Sequence, residues 1–214
     1  MKPYQTLLED AVEEQILQKS RFIGYAKPVS SEETALAFLA DIRKKHKDAT
    51  HNCYAYIIGQ NAGIMRYSDD GEPTGTAGMP IIEVMKAKKI VDAIVIVTRY
   101  FGGVLLGAGG LVRAYSSTCA LCVNSAKVAT MFPSLTYCCE VNYNMWDRVQ
   151  YAMKSLPLRL LSSEFAKTVV FEICFKEQDE LTVLREITRV TDGKVETMLI
   201  GTDFMPWVEE NISD

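Results

Sequence analysis

Five consecutive aliphatic residues, Ala93-Ile94-Val95-Ile96-Val97, restrict this 214-residue chain more than any other feature. A strand with one wet face alternates apolar and polar residues. An unbroken apolar run reads as a strand buried on both faces, and such a strand needs a layer packed on each side of its sheet. The run feeds directly into Thr98–Gly110, a glycine-rich loop, and a helix follows from about Leu111 to Ala126. In open α/β sheets, a loop in that position commonly holds ligands.

The rest of the chain fits an α/β (α+β) class. Thr6 to Lys19 reads as a helix, and Ser20–Val29 as a strand ending near Pro28. Ser30 with Glu33 three residues on signals a helix start. That helix carries Ala35, Leu36, Phe38, Leu39 and Ile42 on one face and closes in the basic run Arg43–Lys47. Strands follow at Asn52–Ile58 and Ile64–Tyr67, then a polar loop over Ser68–Gly78, then a helix in which Pro80 takes a first-turn position. Phe132-Pro133 punctuates the chain and the pattern restarts. A strand over Leu135–Tyr143 leads to a helix capped by Asn144 and ended by Pro157. Strands at Leu158–Phe165 and Thr168–Phe175, a helix over Gln178–Thr191 and a strand over Lys194–Ile200 complete a βαββαβ order, the ferredoxin-like arrangement. Two domains are expected, 1–133 and 134–214.

Composition narrows the classes of function. With 48% hydrophobic and 23% charged residues, there is ample material for a core. No stretch approaches the roughly 18 apolar residues of a membrane span, and the acidic N-terminus lacks a signal-peptide core, so no membrane partner and a cytoplasmic location are expected. Residues 1–133 carry a net charge of +2 and residues 134–214 carry −6. Neither half is a basic platform, so sequence-specific DNA binding is not expected and any RNA contact must be local. Cys119-x-x-Cys122 has no second pair of ligands at matching spacing. It sits in an apolar helix, where cysteine acts as a small hydrophobe. Cys138 and Cys139 are strand neighbours that point to opposite faces. Neither a metal site nor a cofactor is expected.

Two segments concentrate the candidate chemistry. In Asp69–Pro80, the acids Asp69, Asp70 and Glu72 precede a helix start whose free N–H groups attract anions, and Gly75 and Gly78 permit close backbone approach. In Arg99–Arg113, the glycines Gly102, Gly103, Gly107, Gly109 and Gly110 lie between two arginines able to grip phosphate. The spacing is neither a Walker A loop nor a dinucleotide fingerprint. Arg66, Arg99 and Arg113, with the aromatics Tyr67 and Tyr100, form a candidate phosphate- or RNA-binding set. The same arginines can equally pair with the acids and leave the glycines to make turns. His51 is a weak candidate for acid–base work, and no serine or cysteine has the neighbours of a catalytic nucleophile.

At Ser20-Arg21-Phe22-Ile23, His51–Tyr56, Asp69–Pro80 and Thr98–Gly107 the chain resembles the IMPACT family and its bacterial YigZ branch, over about residues 15–125. The resemblance implies an N-terminal domain similar to the second domain of a small-subunit ribosomal protein, a fold shared with translation factors and small-molecule kinases. It also implies a ferredoxin-like C-terminal domain similar to a terminal domain of elongation factor G. Eukaryotic members are linked to translational control through a protein partner and an additional N-terminal domain. The family block here begins near residue 15, so that domain is not expected. The function expected is a translation-linked regulatory protein that binds RNA, the ribosome or a translation factor. The alternatives are an enzyme acting on a phosphorylated small molecule, or a protein–protein adaptor. An RNA platform on the C-terminal sheet would need exposed aromatics, for which Tyr143, Phe171 and Phe175 are candidates that equally suit a core.

Overall fold

Two antiparallel sheets organise residues 2–207, the residues described by the structure, a computed structural model. The chain divides into two compact units, Tyr4–Thr130 and a second that starts at Met131.

The first unit runs β1 (Tyr4–Leu7), β2 (Ala11–Leu17), β3 (Ser20–Pro28), α1 (Glu32–Lys45), β4 (His51–Ile58), β5 (Ile64–Ser68), α2 (Gly78–Ala87), β6 (Ala93–Tyr100) and α3 (Gly107–Ser125). Its sheet order is β2-β3-β6-β4-β5. The aliphatic run lies at the centre, and β6 is buried from Ala93 through Arg99. On one face Phe22, Ala55, Val95 and Val97 meet Ile81 and Met85 of α2 and Tyr115 and Cys119 of α3. On the other, Ile23, Tyr56, Ile94 and Ile96 meet Ala35, Leu39 and Ile42 of α1. Burial on both faces is therefore present, but β6 pairs antiparallel with both β3 and β4. An antiparallel sheet has no edge shared by strand carboxyl ends, so the ligand-loop argument from open parallel sheets does not carry over.

The helix expected over Thr6–Lys19 is instead β1 and β2. Ala11, Glu13, Gln15 and Leu17 turn partly inward, while Val12, Glu14 and Ile16 face out. The Gln15 amide donates to Ser117 Oγ at 2.7 Å and to the Ala114 carbonyl at 3.2 Å, so a polar residue occupies a partly inward position against α3. The β2–β3 hairpin turns at Gln18-Lys19, both in the left-handed region (φ 44° and 67°), without the Asn-Gly signature that marks such turns. The cap of α1 is Ser31, not Ser30. Ser31 Oγ accepts from the Thr34 N–H at 3.2 Å, and Thr34, not Glu33, closes the capping box.

The second unit continues β7 (Val128–Val141), α4 (Tyr143–Met153), β8 (Leu158–Phe165), β9 (Val169–Lys176), a 3-10 turn at Glu177–Asp179, α5 (Glu180–Val190) and β10 (Glu196–Pro206). Its βαββαβ order, with β7 paired to β10 and to β9 and β9 paired to β8, is the ferredoxin-like pattern. Pro133 does not break the strand. The β9 ladder begins only at Ser134, so the missing proline N–H costs no bond on that side. Asn142, not Asn144, precedes α4. Phe171 and Phe175 are fully buried against α4 and α5 with Trp146, Val149, Val183 and Ile187, which removes them from any stacking platform; Tyr143 is exposed.

Cys119 and Cys122 are free and buried on α3, where burial pushes both thiols up, Cys122 to about 12. Among the described residues no group of three His, Cys, Asp or Glu side chains could hold a metal, and no helix is long and apolar enough to cross a membrane.

His46, at the C-terminal cap of α1, is buried between two phenols. Its Nε2 lies 2.6 Å from Tyr25 Oη and its Nδ1 lies 2.8 Å from Tyr100 Oη. Burial, then Lys45 and Arg21, lowers its pKa. A depressed folded-state value means that the unfolded chain takes up the proton first as pH falls. Stability should be unaffected above about pH 6.5 and should decline below it. Thermal melts between pH 7.5 and 5.5 check this, and the decline over that window should be smaller in His46→Asn.

Candidate functional site

The acidic loop between β5 and α2 is folded on its own carboxylates. Asp69 accepts the N–H groups of Gly75 (2.8 Å), Ala77 (3.0 Å) and Gly78 (2.8 Å). The start of α2, which the sequence offers as an anion site, is thus capped by this chain's own anion. Gly78 must be glycine, because a Cβ there would sit 2.7 Å from the Ser68 backbone. Asp70 accepts the Asn52 N–H at 2.7 Å and pairs with Arg43 at 2.9 Å.

Glu72 is the third acid, and it is buried. Its Oε1 accepts from Arg99 Nη1 at 2.7 Å and from the Tyr115 hydroxyl at 2.8 Å. Arg99 is only 5% exposed; its second arm reaches Ser20 Oγ at 3.3 Å, and its guanidinium lies over the rings of Phe22 and Phe101. Arg99 Nε is buried with no protein partner. His51 Nδ1 faces the Asp70 carbonyl at 2.8 Å and therefore donates to it, leaving Nε2 3.8 Å from Glu72 Oε2. Cys53 donates to the Asp69 carbonyl, and burial pushes its thiol far above the range of a nucleophile. The residues brought together are therefore Ser20, His51, Cys53, Asp69, Glu72, Arg99 and Tyr115. Ser20, Cys53 and Tyr115 were not among the sequence candidates. Tyr115 sits on the apolar stripe of α3, and a buried tyrosine on such a stripe needs a partner for its hydroxyl, which was the available signal.

The other candidates stand apart from this cluster. Arg66 and Tyr67 are exposed on β5, where Arg66 approaches Glu32 at 3.9 Å. Tyr100 is half-buried with its hydroxyl on His46. Arg113 is exposed on α3, at the rim of an open apolar groove of about 750 Å³ that includes Leu17, Val84, Leu106 and Val112.

The second glycine-rich segment splits in two. Gly107, Gly109 and Gly110 belong to the first turn of α3, not to a loop. The loop proper, 101–106, is tied at its base: Thr50 Oγ1 accepts the Phe101 N–H at 3.1 Å and Ser20 Oγ accepts the Gly102 N–H at 3.2 Å. Gly102 is packed so tightly that a Cβ would lie 2.0 Å from the Lys19 carbonyl, and Gly103 turns at φ +82°. Beyond these anchors the loop presents Phe101 (47% exposed), Val104 (38%) and Leu105 (84%) to solvent.

The family model of the Impact N-terminal domain matches residues 18–123. The IMPACT family member YvyE of Bacillus subtilis is 37% identical over 191 residues, covering 89% of this chain and 88% of the relative. The IMPACT family member YigZ of Escherichia coli is 30% identical over 73% of this chain and 78% of its own. The bovine Protein IMPACT is 35% identical over 95 residues, 42% of this chain and 29% of that protein. A solved structure, described as the crystal structure of a hypothetical protein, aligns with TM-score 0.58 and 24% identity over 94% of this chain and 98% of that one, a likeness of fold.

Removing one partner of a buried ion pair strands the other, at a cost of about 3–5 kcal/mol. Glu72→Ala and Arg99→Ala should each lose about that much in urea denaturation, and the double variant should lose less than the two single losses combined. Gly102→Ala should sharply lower the melting temperature. Gly109→Ala, whose added Cβ meets open space inside a helix, should stabilise by roughly 0.5–1 kcal/mol.

Proposed function

The chain belongs to the IMPACT family, and on that premise we propose that it is a translation-linked regulatory protein that works by binding, with a ribosomal protein or translation factor as its partner and the 101–106 loop as its contact. The observation that carries this reading is Leu105, 84% exposed at the tip of a loop whose base is hydrogen-bonded and glycine-locked. An apolar side chain held out on a rigid support loses little freedom on association, which favours affinity. A phosphate-gripping role for Arg99 is less favoured, because both arms of its guanidinium are engaged inside the protein. A catalytic role is less favoured because the buried acids already hold backbone, arginine and tyrosine partners.

Co-sedimentation with purified ribosomes tests the proposal. Wild type should pellet with them. Leu105→Asp should bind about tenfold more weakly or worse, the scale of an interface anchor, while melting within a few degrees of wild type. Arg66→Ala and Arg113→Ala should bind within about threefold of wild type, since exposed charges contribute little. Wild type remaining in the supernatant with ribosomes alone and with ribosomes loaded with translation factors, or Leu105→Asp pelleting as well as wild type, would overturn the reading.

A further inference from the structure

In the second unit, α4 and α5 cover only one face of the sheet. The side chains of Tyr137, Cys139, Phe171, Ile173 and Phe175 point to the helices, so the alternate residues line the opposite face. The pairing register sets these residues in rows across the strands. One row is Glu196–Glu140–Val170–Glu164, and the next is Met198–Cys138–Glu172–Ser162. Met198 is 61% exposed, and Cys138, Glu140, Val170 and Glu172 are half-buried, so the face is open to solvent along these rows.

Glu196 and Glu140 are direct cross-strand partners. Carboxylates directly opposite one another repel across about 5 Å and destabilise a sheet. Among the described residues, no ion pair relieves Glu140, Glu164, Glu172 or Glu196. The cations of this face lie toward its other end and are otherwise engaged. Arg159 stacks on Trp207 at 4.2 Å and donates to the Pro206 carbonyl, and Lys176 stands over Phe132 at 4.3 Å. Glu140 is met instead by a neutral donor, the Thr168 hydroxyl at 2.5 Å. A sheet face that keeps a like-charge pair without a cation, beside exposed Met198 and half-buried Val170, violates a local stability rule, and such violations collect at functional surfaces.

We propose that this face docks a lysine- and arginine-rich protein segment with interspersed apolar residues. The cations would complement the four glutamates, and the apolar side chains would cover Met198 and Val170. An extended segment places alternate side chains about 6.6 Å apart on one side, a spacing between one and two inter-strand steps of about 4.8 Å. RNA is the disfavoured occupant, because phosphates would face the glutamates and fully buried Phe171 and Phe175 offer no stacking surface.

The test uses the full chain and a fluorescein-labelled nine-residue peptide of alternating lysine and leucine, with an alternating glutamate and leucine peptide as control. Anisotropy at low and physiological salt should show binding of the lysine peptide only, weakening with salt. The variant Glu140→Gln, Glu164→Gln, Glu172→Gln, Glu196→Gln should bind at least tenfold more weakly. A variant with the same charge change on helix and loop surfaces (Glu33→Gln, Asp41→Asn, Asp48→Asn, Asp147→Asn) should bind within threefold of wild type. Leu105→Asp should leave peptide binding unchanged, which separates this surface from the loop. Relief of repulsion should also keep the melting temperature of the sheet-face variant at or above that of wild type, so a folding failure would not be mistaken for lost binding. Equal losses in the two fourfold variants would assign the effect to net charge and overturn the proposal. So would absent binding at low salt, or a fluorescein-labelled twelve-residue uridine oligonucleotide that binds wild type and is lost only in the sheet-face variant.

Discussion

The buried contact of Arg99 with Glu72 ties together parts of the first unit that are far apart in sequence. Arg99 lies one residue before the end of the central strand, Glu72 belongs to the loop before α2, and Tyr115 on α3 shares the same carboxylate oxygen. Through Ser20, the second arm of Arg99 also reaches the residue that accepts the Gly102 N–H. The ion pair alone would be a poor source of stability, because desolvating two charges offsets most of their attraction. What it supplies is position: the acidic loop, β6, α3 and the base of the 101–106 loop satisfy one another only in this arrangement. Arg99 Nε remains unpaired within it.

The same inward logic explains why the acids of Asp69–Glu72 do not form a cluster. Each carboxylate is committed to a different neighbour. Asp69 folds over three backbone N–H groups, Asp70 holds the start of β4 and Arg43, and Glu72 takes Arg99 and Tyr115. Three acids within four residues can imitate a metal or phosphate site in sequence while serving as internal caps in the fold. The glycines divide in the same manner. Gly78 and Gly102 are required by backbone crowding, Gly75 and Gly103 by their left-handed φ, and Gly109 by neither.

The fold was legible wherever one periodicity dominated. The aliphatic run could only be a doubly buried strand, and the alternation of strands and helices after residue 134 set the ferredoxin-like order. The segment Thr6–Lys19 misled because Val12, Ile16 and Leu17 satisfy a helical spacing, whereas in the strand Val12 and Ile16 face out and Leu17 turns inward. The deciding facts were tertiary: a cross-strand Glu14–Arg21 pair at 2.7 Å, and Gln15 turned inward to serve α3. In the site, the residue types were legible and the partners were not. Sequence places arginines beside glycines and acids, but whether a guanidinium faces solvent or a buried carboxylate depends on the depth of its strand in the sheet. Arg99, on the central strand β6, is buried, while Arg66, on edge strand β5, is exposed.

Charge thus has opposite fates in the two units. In the first, the acids of the family block are consumed by the fold, and what reaches the surface beside them is apolar, at Phe101, Val104 and Leu105. In the second, four glutamates stay on two solvent-open rows of a sheet face without internal cations. Internal pairing fixes a geometry and leaves little for a partner to complement. Unpaired charge costs some stability and keeps a long-range field that can steer an oppositely charged chain toward the surface. A protein built in this way can present one rigid apolar contact and one electrostatic contact.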